Sequence, residues 1–291
     1  MHSQINVSDF NLAATLECGQ AFRWCRATDG WFEGVVGREI WRLRQSGATL
    51  EWEVVSPIPH EPVPMRHDPS PIAIRRYLAL DVSLPDITAT FPADDDHLRA
   101  AVQKHWGLRV LRQEPWECLA SFIASSTKQI VQIRQIVAEL SRRFGEPLAD
   151  GFHAFPSVDA IARASHPELW KCKLGFRAKN LLAAARMIDG GKVELDRLPA
   201  MAYAQALEEL LKLPGVGEKI ANCVLLFSCG FDQAFPVDVW VERAVRRLYF
   251  PRRKATARQL RDFARSHFGP YAGWAQQYLF FQERTRRKNR E

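Results

Sequence analysis

The spacing of apolar residues changes once along the chain, and this change limits which folds are possible. Between residues 19 and 56, Trp, Phe and Val alternate with polar residues, and short glycine-containing turn signals interrupt them. A period of two is typical of antiparallel strands joined by tight turns. From about residue 72 the apolar residues recur at helical spacing. The pattern predicts an α+β protein, with a small antiparallel β-sheet domain and flanking helices at 1–105 and a mainly α-helical domain at 106–291.

Composition narrows the class of protein. A net charge of +7 and a pI near 9.2 suit a polyanionic partner such as nucleic acid, although a merely basic soluble enzyme would also fit. No apolar run reaches the ~18 residues of a membrane span, and the first residues lack the features of a secretory signal. The six cysteines have no metal-ligand spacing, so we expect free thiols and neither a metal nor a cofactor. Six prolines at 57–71 predict a loop or linker, and the basic residues at 284–291 predict a solvated tail.

A glycine turn between two apolar helical segments predicts a helical hairpin at about 203–230. Gly215 and Gly217 flank Val216 in the sequence LPGVG, and both glycines permit positive φ and close approach of a ligand. Free N–H groups at the turn and at the start of the next helix would form an anion site. A DNA phosphate suits such a site and is bound without reading sequence. An ordinary helical hairpin would fit the same residues.

An amine and a carboxylate stand at the two ends of the apolar segment that follows this turn. Lys219 falls in the first turn of the second hairpin helix, and Asp238 precedes the next helix as an N-cap would. A helix of about 12 residues rises roughly 18 Å, and the eight residues that follow it can return over that length at about 3.3 Å each. The two groups can therefore meet. The helix dipole disfavours charge on the amine, and a neutral amine is the nucleophile of Schiff-base chemistry. A solvated lysine and a purely structural cap are the alternatives.

Several segments, taken in order, resemble the 8-oxoguanine DNA glycosylase family of the helix-hairpin-helix superfamily. They are LPGVG with Lys219 and Asp238, and also CGQAFRW, LRQEPWECLASFI, LGFRAKN and GPYAGWAQ, which begin at residues 18, 111, 174 and 269. The resemblance implies a helix-hairpin-helix DNA glycosylase body and a bifunctional glycosylase/AP lyase that flips 8-oxoguanine out of duplex DNA. It also implies that Lys219 attacks the anomeric carbon, that Asp238 stabilises the cationic sugar, and that β-elimination nicks the strand. The C-terminal four-cysteine cluster of other branches is absent, so an iron–sulfur cofactor is not expected.

The resemblance also assigns a lesion pocket. It implies that the Gly19 carbonyl accepts the N7 hydrogen that 8-oxoguanine has and guanine lacks. It implies that Phe280 and Cys223 pack on the two faces of the base and that Gln276 reads its Watson–Crick edge. The alternatives are a turn glycine, a core phenylalanine and an inert core cysteine.

Contacts to the DNA duplex follow from the same resemblance. Phe176 is expected to fill the gap left by the extruded base, and Arg177 to bond the opposite base unless it only binds phosphate or solvent. Thr127 replaces the first of a run of asparagines in the family, and Gln132 replaces an arginine of animal members. These departures predict a relaxed preference for the base opposite the lesion. Trp240 stands where some members have a phosphate-binding histidine, and it can either pack or donate to a phosphate.

Two other functions fit the same sequence. One is a helix-hairpin-helix glycosylase for other, alkylated lesions, and the other is a non-catalytic DNA-binding module. The expected partner is double-stranded DNA containing a damaged base, with a monomeric protein and no membrane association. The expected location is the cytoplasm, on the nucleoid, if the protein is bacterial, and the nucleus if it is eukaryotic.

Overall fold

A computed structural model describes residues 3–55, 71–251 and 255–288. Its N-terminal part holds a five-stranded antiparallel sheet in the order β1-β5-β4-β3-β2. The strands are β1 (Ser3–Asn6), β2 (Cys25–Arg26), β3 (Phe32–Val36), β4 (Glu39–Ser46) and β5 (Thr49–Val55). A mostly helical body follows the sheet, so the predicted α+β fold class is confirmed.

The first part of the predicted alternating segment does not form a strand. Residues 19–24 run as bends and coil, and pairing begins only at β2. Alternation persists there because Phe22 packs into the core of the helical body and Trp24 into the core under the sheet. The sequence pattern also missed β1, which pairs with β5 at the edge of the sheet.

The described part of the chain contains α-helices between β1 and β2 and after β5. They are α1 (Leu12–Glu17), α2 (Pro71–Tyr77), α3 (Leu84–Ala89), α4 (Asp96–Lys104), α5 (Pro115–Ser125), α6 (Ile130–Phe144), α7 (Val158–Arg163), α8 (His166–Leu169), α9 (Arg177–Asp189), α10 (Tyr203–Leu211), α11 (Glu218–Phe227), α12 (Val239–Tyr249), α13 (Ala257–Phe268) and α14 (Ala272–Lys288). The pair α10–α11 is the predicted hairpin. Among the described helices, none combines the length and apolar character that a bilayer-spanning segment needs.

Two helical cores meet near the end of the hairpin. The larger core contains the apolar faces of α5, α9 and α11, and the smaller one is built by α4, α12, α13 and α14. Cys18, directly after α1, is buried in the smaller core. The first turns of α11 and α12 are thereby held beside α5 and α14. The proline-rich segment predicted as a loop at 57–71 lies outside the described residues except for Pro71, which begins α2.

Candidate active site

An open cleft of about 290 Å³ lies where α5, α11, α12 and α14 approach one another. The residues that line it come from widely separated parts of the sequence: Gly19, Phe122, Lys219, Cys223, Phe227, Pro236, Asp238, Gln276, Gln277 and Phe280. All six residues that the sequence assigned to chemistry or to base recognition are among them. A cleft that is mostly apolar with a few convergent polar groups is the usual form of a small-molecule pocket.

Lys219 projects into this cleft from the first turn of α11. Its Nζ donates a hydrogen bond to Ser125 Oγ at 3.2 Å and lies 4.8 Å from the centroid of the Phe122 ring. The Ser125 hydroxyl in turn donates to the Phe122 carbonyl at 2.7 Å. The hydrogen bond to Ser125 and the contact with Phe122 therefore orient the amine from α5. This arrangement holds a reactive nitrogen in a fixed place without pairing it to an acid.

Asp238 caps the N-terminus of α12. Its Oδ1 accepts hydrogen bonds from Trp240 N at 2.9 Å and Val241 N at 2.8 Å. Burial raises the pKa of this carboxyl above its usual range, and the opposing effects of the Val241 N–H group and the Lys219 charge are smaller. In the part of the chain that the structure describes, no ion pair within 4.0 Å joins Asp238 to Lys219. The two groups share the cleft with space between them.

The side chains expected to hold a base surround the same space. Gln276 is 4% exposed, and its Oε1 has no hydrogen-bond partner among the described residues. A buried amide oxygen without a partner is costly, and a ligand N–H group would satisfy it. Cys223 is buried, and burial raises the pKa of its thiol to about 11, so it is a neutral packing group. Phe280 closes the opposite side of the cleft.

Gly19 lines the cleft, and a larger residue at this position would disturb the wall of the cleft that it forms. Its φ of +88° lies in the left-handed region that favours glycine. A Cβ atom there would lie 2.7 Å from Ile130 Cδ1 and 2.9 Å from Arg284 Nη1. The backbone of residue 19 therefore reaches the cleft because no side chain stands in the way.

The hairpin turn agrees with the sequence prediction in part. Gly215 has φ +79°, and a Cβ there would collide with the Asn180 side chain. Gly217 has φ −100°, so it does not use the positive φ that a glycine permits. The open space around its Cα is still available to a ligand. The N–H of Val216 is also not free, because it donates to the Leu213 carbonyl within the turn. What remains for an anion is the start of α11, where no side chain of the described residues caps the first N–H groups.

Phe176 and Arg177 lie at the start of α9. Phe176 is 61% exposed, because positive φ angles at Lys173 and Gly175 turn the preceding segment outward. Arg177 is only 4% exposed. Its guanidinium donates to the carbonyls of Ser126 and Leu174 and, at 2.6 Å, to Thr127 Oγ1. Arg177 is therefore bound to its own protein here, and it can reach an unpaired base only by exchanging these bonds.

Two further predicted DNA contacts lie at helix starts. Gln132 is exposed in the first turn of α6, and its Oε1 accepts from Gln129 N at 3.1 Å, closing that end of the helix. Trp240 is half-buried in the first turn of α12, with the Arg243 guanidinium 5.5 Å from its ring centroid. Its ring packs against the smaller core, and its expected role at a phosphate stays a prediction.

Five residues of the site were not predicted from the sequence. Ser125, Phe122, Phe227, Pro236 and Gln277 either line the cleft or hold the amine. Phe122 and Ser125 share one face of α5 at a spacing of three residues. Ser125 also lies two residues before Thr127, which was already singled out as a departure from the family. That spacing is the signal that could have identified them.

The sequence and the fold are similar to those of known repair proteins. Residues 3–119 match the family described as 8-oxoguanine DNA glycosylase, N-terminal domain, and residues 120–270 match the HhH-GPD superfamily of base excision DNA repair proteins. The N-glycosylase/DNA lyase OGG1 of Arabidopsis thaliana is 31% identical over 95% of this chain and 78% of its own length. The N-glycosylase/DNA lyase of Saccharomyces cerevisiae is 30% identical over 96% and 85%. The solved 8-oxoguanine glycosylase/lyase of Clostridium acetobutylicum, in complex with DNA containing cytosine opposite 8-oxoguanine, has a TM-score of 0.88 and 30% identity over 99% and 98%.

Proposed function

The chain belongs to the 8-oxoguanine DNA glycosylase family of helix-hairpin-helix base excision repair proteins, and we propose that it excises 8-oxoguanine from duplex DNA through a Schiff base on Lys219. As a member of that family it is a DNA N-glycosylase with DNA lyase activity. The single observation that carries the proposed mechanism is that Lys219 and Asp238 line the same cleft, whose other walls are mostly apolar. Neither group would be needed by a module that only bound phosphate.

The proposed reaction uses the two polar ends of the cleft. The base must first leave the duplex stack, since its glycosidic bond is inaccessible there. Nζ of Lys219, in its neutral form, then attacks C1′ while the C1′–N9 bond breaks and its electron pair leaves with the base. Asp238 stabilises the positive charge that builds up on the sugar and favours loss of a proton from the amine. Opening of the sugar ring yields the imine, and β-elimination then breaks the bond to the 3′ phosphate.

Base recognition is proposed to use two polar groups of the cleft, one from the backbone at Gly19 and one from the side chain of Gln276. The Gly19 carbonyl would accept N7–H of 8-oxoguanine, and the unpaired Gln276 amide would bond the Watson–Crick edge. Guanine has an acceptor at N7, so it would leave two acceptors facing each other in a buried site. A mismatch of this kind discriminates more strongly than a difference in shape.

The hairpin and the start of α9 are proposed to bind the DNA duplex. The uncapped N–H groups at the start of α11 would bind a phosphate, and the exposed Phe176 ring would occupy the gap in the stack. Trp240 would support the phosphate side through packing.

A trapping experiment tests the proposed function. A duplex with one 8-oxoguanine opposite cytosine is incubated with protein and sodium borohydride, and a matched duplex with guanine serves as the control. A covalent adduct that forms only with the lesion is expected, because the reductant fixes the imine. Base release without an adduct would indicate a water-using glycosylase, and binding without release would indicate a non-catalytic module.

Opposite-base selection is proposed to be weak, because Thr127 cannot present a paired donor and acceptor. Thr127 has φ +57°, a left-handed conformation that strains a β-branched residue and that asparagine tolerates. We expect Thr127→Asn to raise the ratio of excision opposite cytosine to excision opposite adenine by roughly 5- to 150-fold, the range of about 1–3 kcal/mol for a good bidentate base contact. The melting temperature should be unchanged or higher. Single-turnover excision on the two duplexes measures the ratio.

The matched control for this experiment is Thr127→Ser. It keeps the hydroxyl that bonds Arg177 but adds no amide, so the ratio should stay as in the unchanged protein. A steep preference for cytosine in the unchanged protein would contradict weak selection and would assign it to Arg177 alone.

A further inference from the structure

Arg284 on α14 places a positive charge behind two walls of the cleft. Its Nη1 lies 2.9 Å from the Cβ position at Gly19, and its guanidinium carbon lies 6.0 Å from the centroid of the Phe280 ring. Phe280 and Arg284 are four residues apart and therefore share one face of the helix. The same Cβ position is 3.5 Å from Phe280 Cε1, so glycine backbone, aromatic edge and guanidinium meet at one point.

The charge on Arg284 is not neutralised by a direct partner. Its Nη1 is buried without a hydrogen-bond partner among the described residues, and no ion pair within 4.0 Å joins this arginine to a described acid. A second arginine, Arg134 on α6, is close enough to oppose its charge, and Arg134 Nε is also buried and unpaired. The acids within electrostatic reach are Glu17 and Asp238. An unpaired buried donor beside a like charge costs folding free energy, and an anionic or electron-rich group at this point would offset that cost.

We propose that Arg284 assists departure of the base by stabilising the negative charge that develops on it. The inference rests on the proposed function, since it concerns the C1′–N9 bond that Lys219 attack would break. The electron pair of that bond goes to the base, which therefore gains negative charge. The proton that the amine later loses neutralises this charge. A base held between Cys223 and Phe280 with one edge at Gly19 would lie next to the guanidinium. A charge that is already fixed in place acts on such developing charge without reorganisation.

The reaction itself offers a way to isolate this role. Excision builds negative charge on a leaving base, whereas the lyase step on a preformed abasic site has no base to release. A residue that stabilises the base should therefore affect the first activity and leave the second unchanged. A residue that merely supports the fold should affect both.

The test compares Arg284→Met with Arg284→Lys, and Arg286→Met is the matched control. Arg286 lies on the same helix but pairs with Glu283. Single-turnover excision of 8-oxoguanine opposite cytosine is measured beside cleavage of the same duplex with an abasic site. We expect Arg284→Met to slow excision by about 10- to 100-fold, somewhat less than loss of a direct oxyanion contact, and to leave abasic-site cleavage within about twofold. Arg284→Lys should recover most of the excision rate, and Arg286→Met should change neither activity.

Three outcomes would overturn the inference. Equal losses of excision and abasic-site cleavage in Arg284→Met would assign the residue to the fold, and unchanged excision would assign it no part in the reaction. Recovery of the Arg284→Met excision rate at higher pH would show that the arginine acts by keeping Asp238 ionised. If the unchanged protein neither excises the lesion nor cleaves the abasic site, the proposed function itself fails, which is a separate result.

Discussion

Lys219→Gln is expected to abolish the borohydride-trapped adduct and to lower abasic-site cleavage by roughly 10³-fold or more. The reason is that glutamine has no nucleophilic amine, and removal of a nucleophile is among the most damaging changes in an active site. The fold should survive, because Nζ has one hydrogen bond, to Ser125 Oγ, and one ring contact, to Phe122. Trapping on an 8-oxoguanine duplex and single-turnover cleavage of an abasic duplex measure the two effects.

Lys212→Gln is the matched control for this experiment. Lys212 belongs to the same hairpin, but its amine pairs with Glu209 at 2.5 Å and its side chain is 54% exposed. It should trap and cleave like the unchanged protein. Retention of the adduct in Lys219→Gln would mean that another amine forms the imine, and the cleft would lose its assigned nucleophile.

The fold class and the meeting of Lys219 with Asp238 were within reach of the sequence for a physical reason. Both depend on chain geometry that periodicity reports: the length of a helix, the reach of eight extended residues and the burial of an apolar face. The same holds for Gly215, whose position between two helical segments indicated a sharp turn. The roles given to these side chains in the reaction remain predictions.

Other features depend on which partner a side chain selects, and periodicity carries no such information. The alternation at 19–24 comes from Phe22 and Trp24 facing two different cores, and it therefore imitated a strand. Arg177 donates to the Ser126 carbonyl, 51 residues earlier in the chain, and no local pattern indicates that partner. Gly217 is the N-cap of α11, and an N-cap residue usually has the extended backbone that Gly217 shows.

Arg284 shows why a resemblance can also miss residues. It lies outside the segments that match the family, in a basic stretch that the sequence indicated only as a solvated tail. Its position one turn after Phe280 is a helical spacing, but only the packing of α14 against Gly19 gives that spacing a meaning. The basic composition of this stretch therefore did not indicate that Arg284, with its buried Nη1, lies at the edge of the cleft.

Asp238→Asn is expected to lower excision by about 10²- to 10⁴-fold while leaving the fold nearly intact. Asparagine keeps an oxygen that can accept from Trp240 N and Val241 N, and it is as good an N-cap as aspartate. It cannot supply the negative charge that opposes the developing sugar cation. Single-turnover excision and thermal unfolding, measured on the same preparation, separate the two roles. Asp238→Ala should lose the cap as well, with a further cost of about 1 kcal/mol in stability.

The pH dependence of the same pair of proteins provides a second readout. Burial raises the pKa of Asp238, so its carboxylate form is lost at a higher pH than that of an ordinary aspartate as the solution is acidified. Excision by the unchanged protein should therefore fall on the acid side, with its midpoint above the usual aspartate range, while Asp238→Asn should lack that acid limb. Equal acid limbs in the two proteins would assign the titration to another group. Loss of stability without loss of excision in Asp238→Ala would reduce Asp238 to a cap, because the charge would then have no part in breaking the C1′–N9 bond.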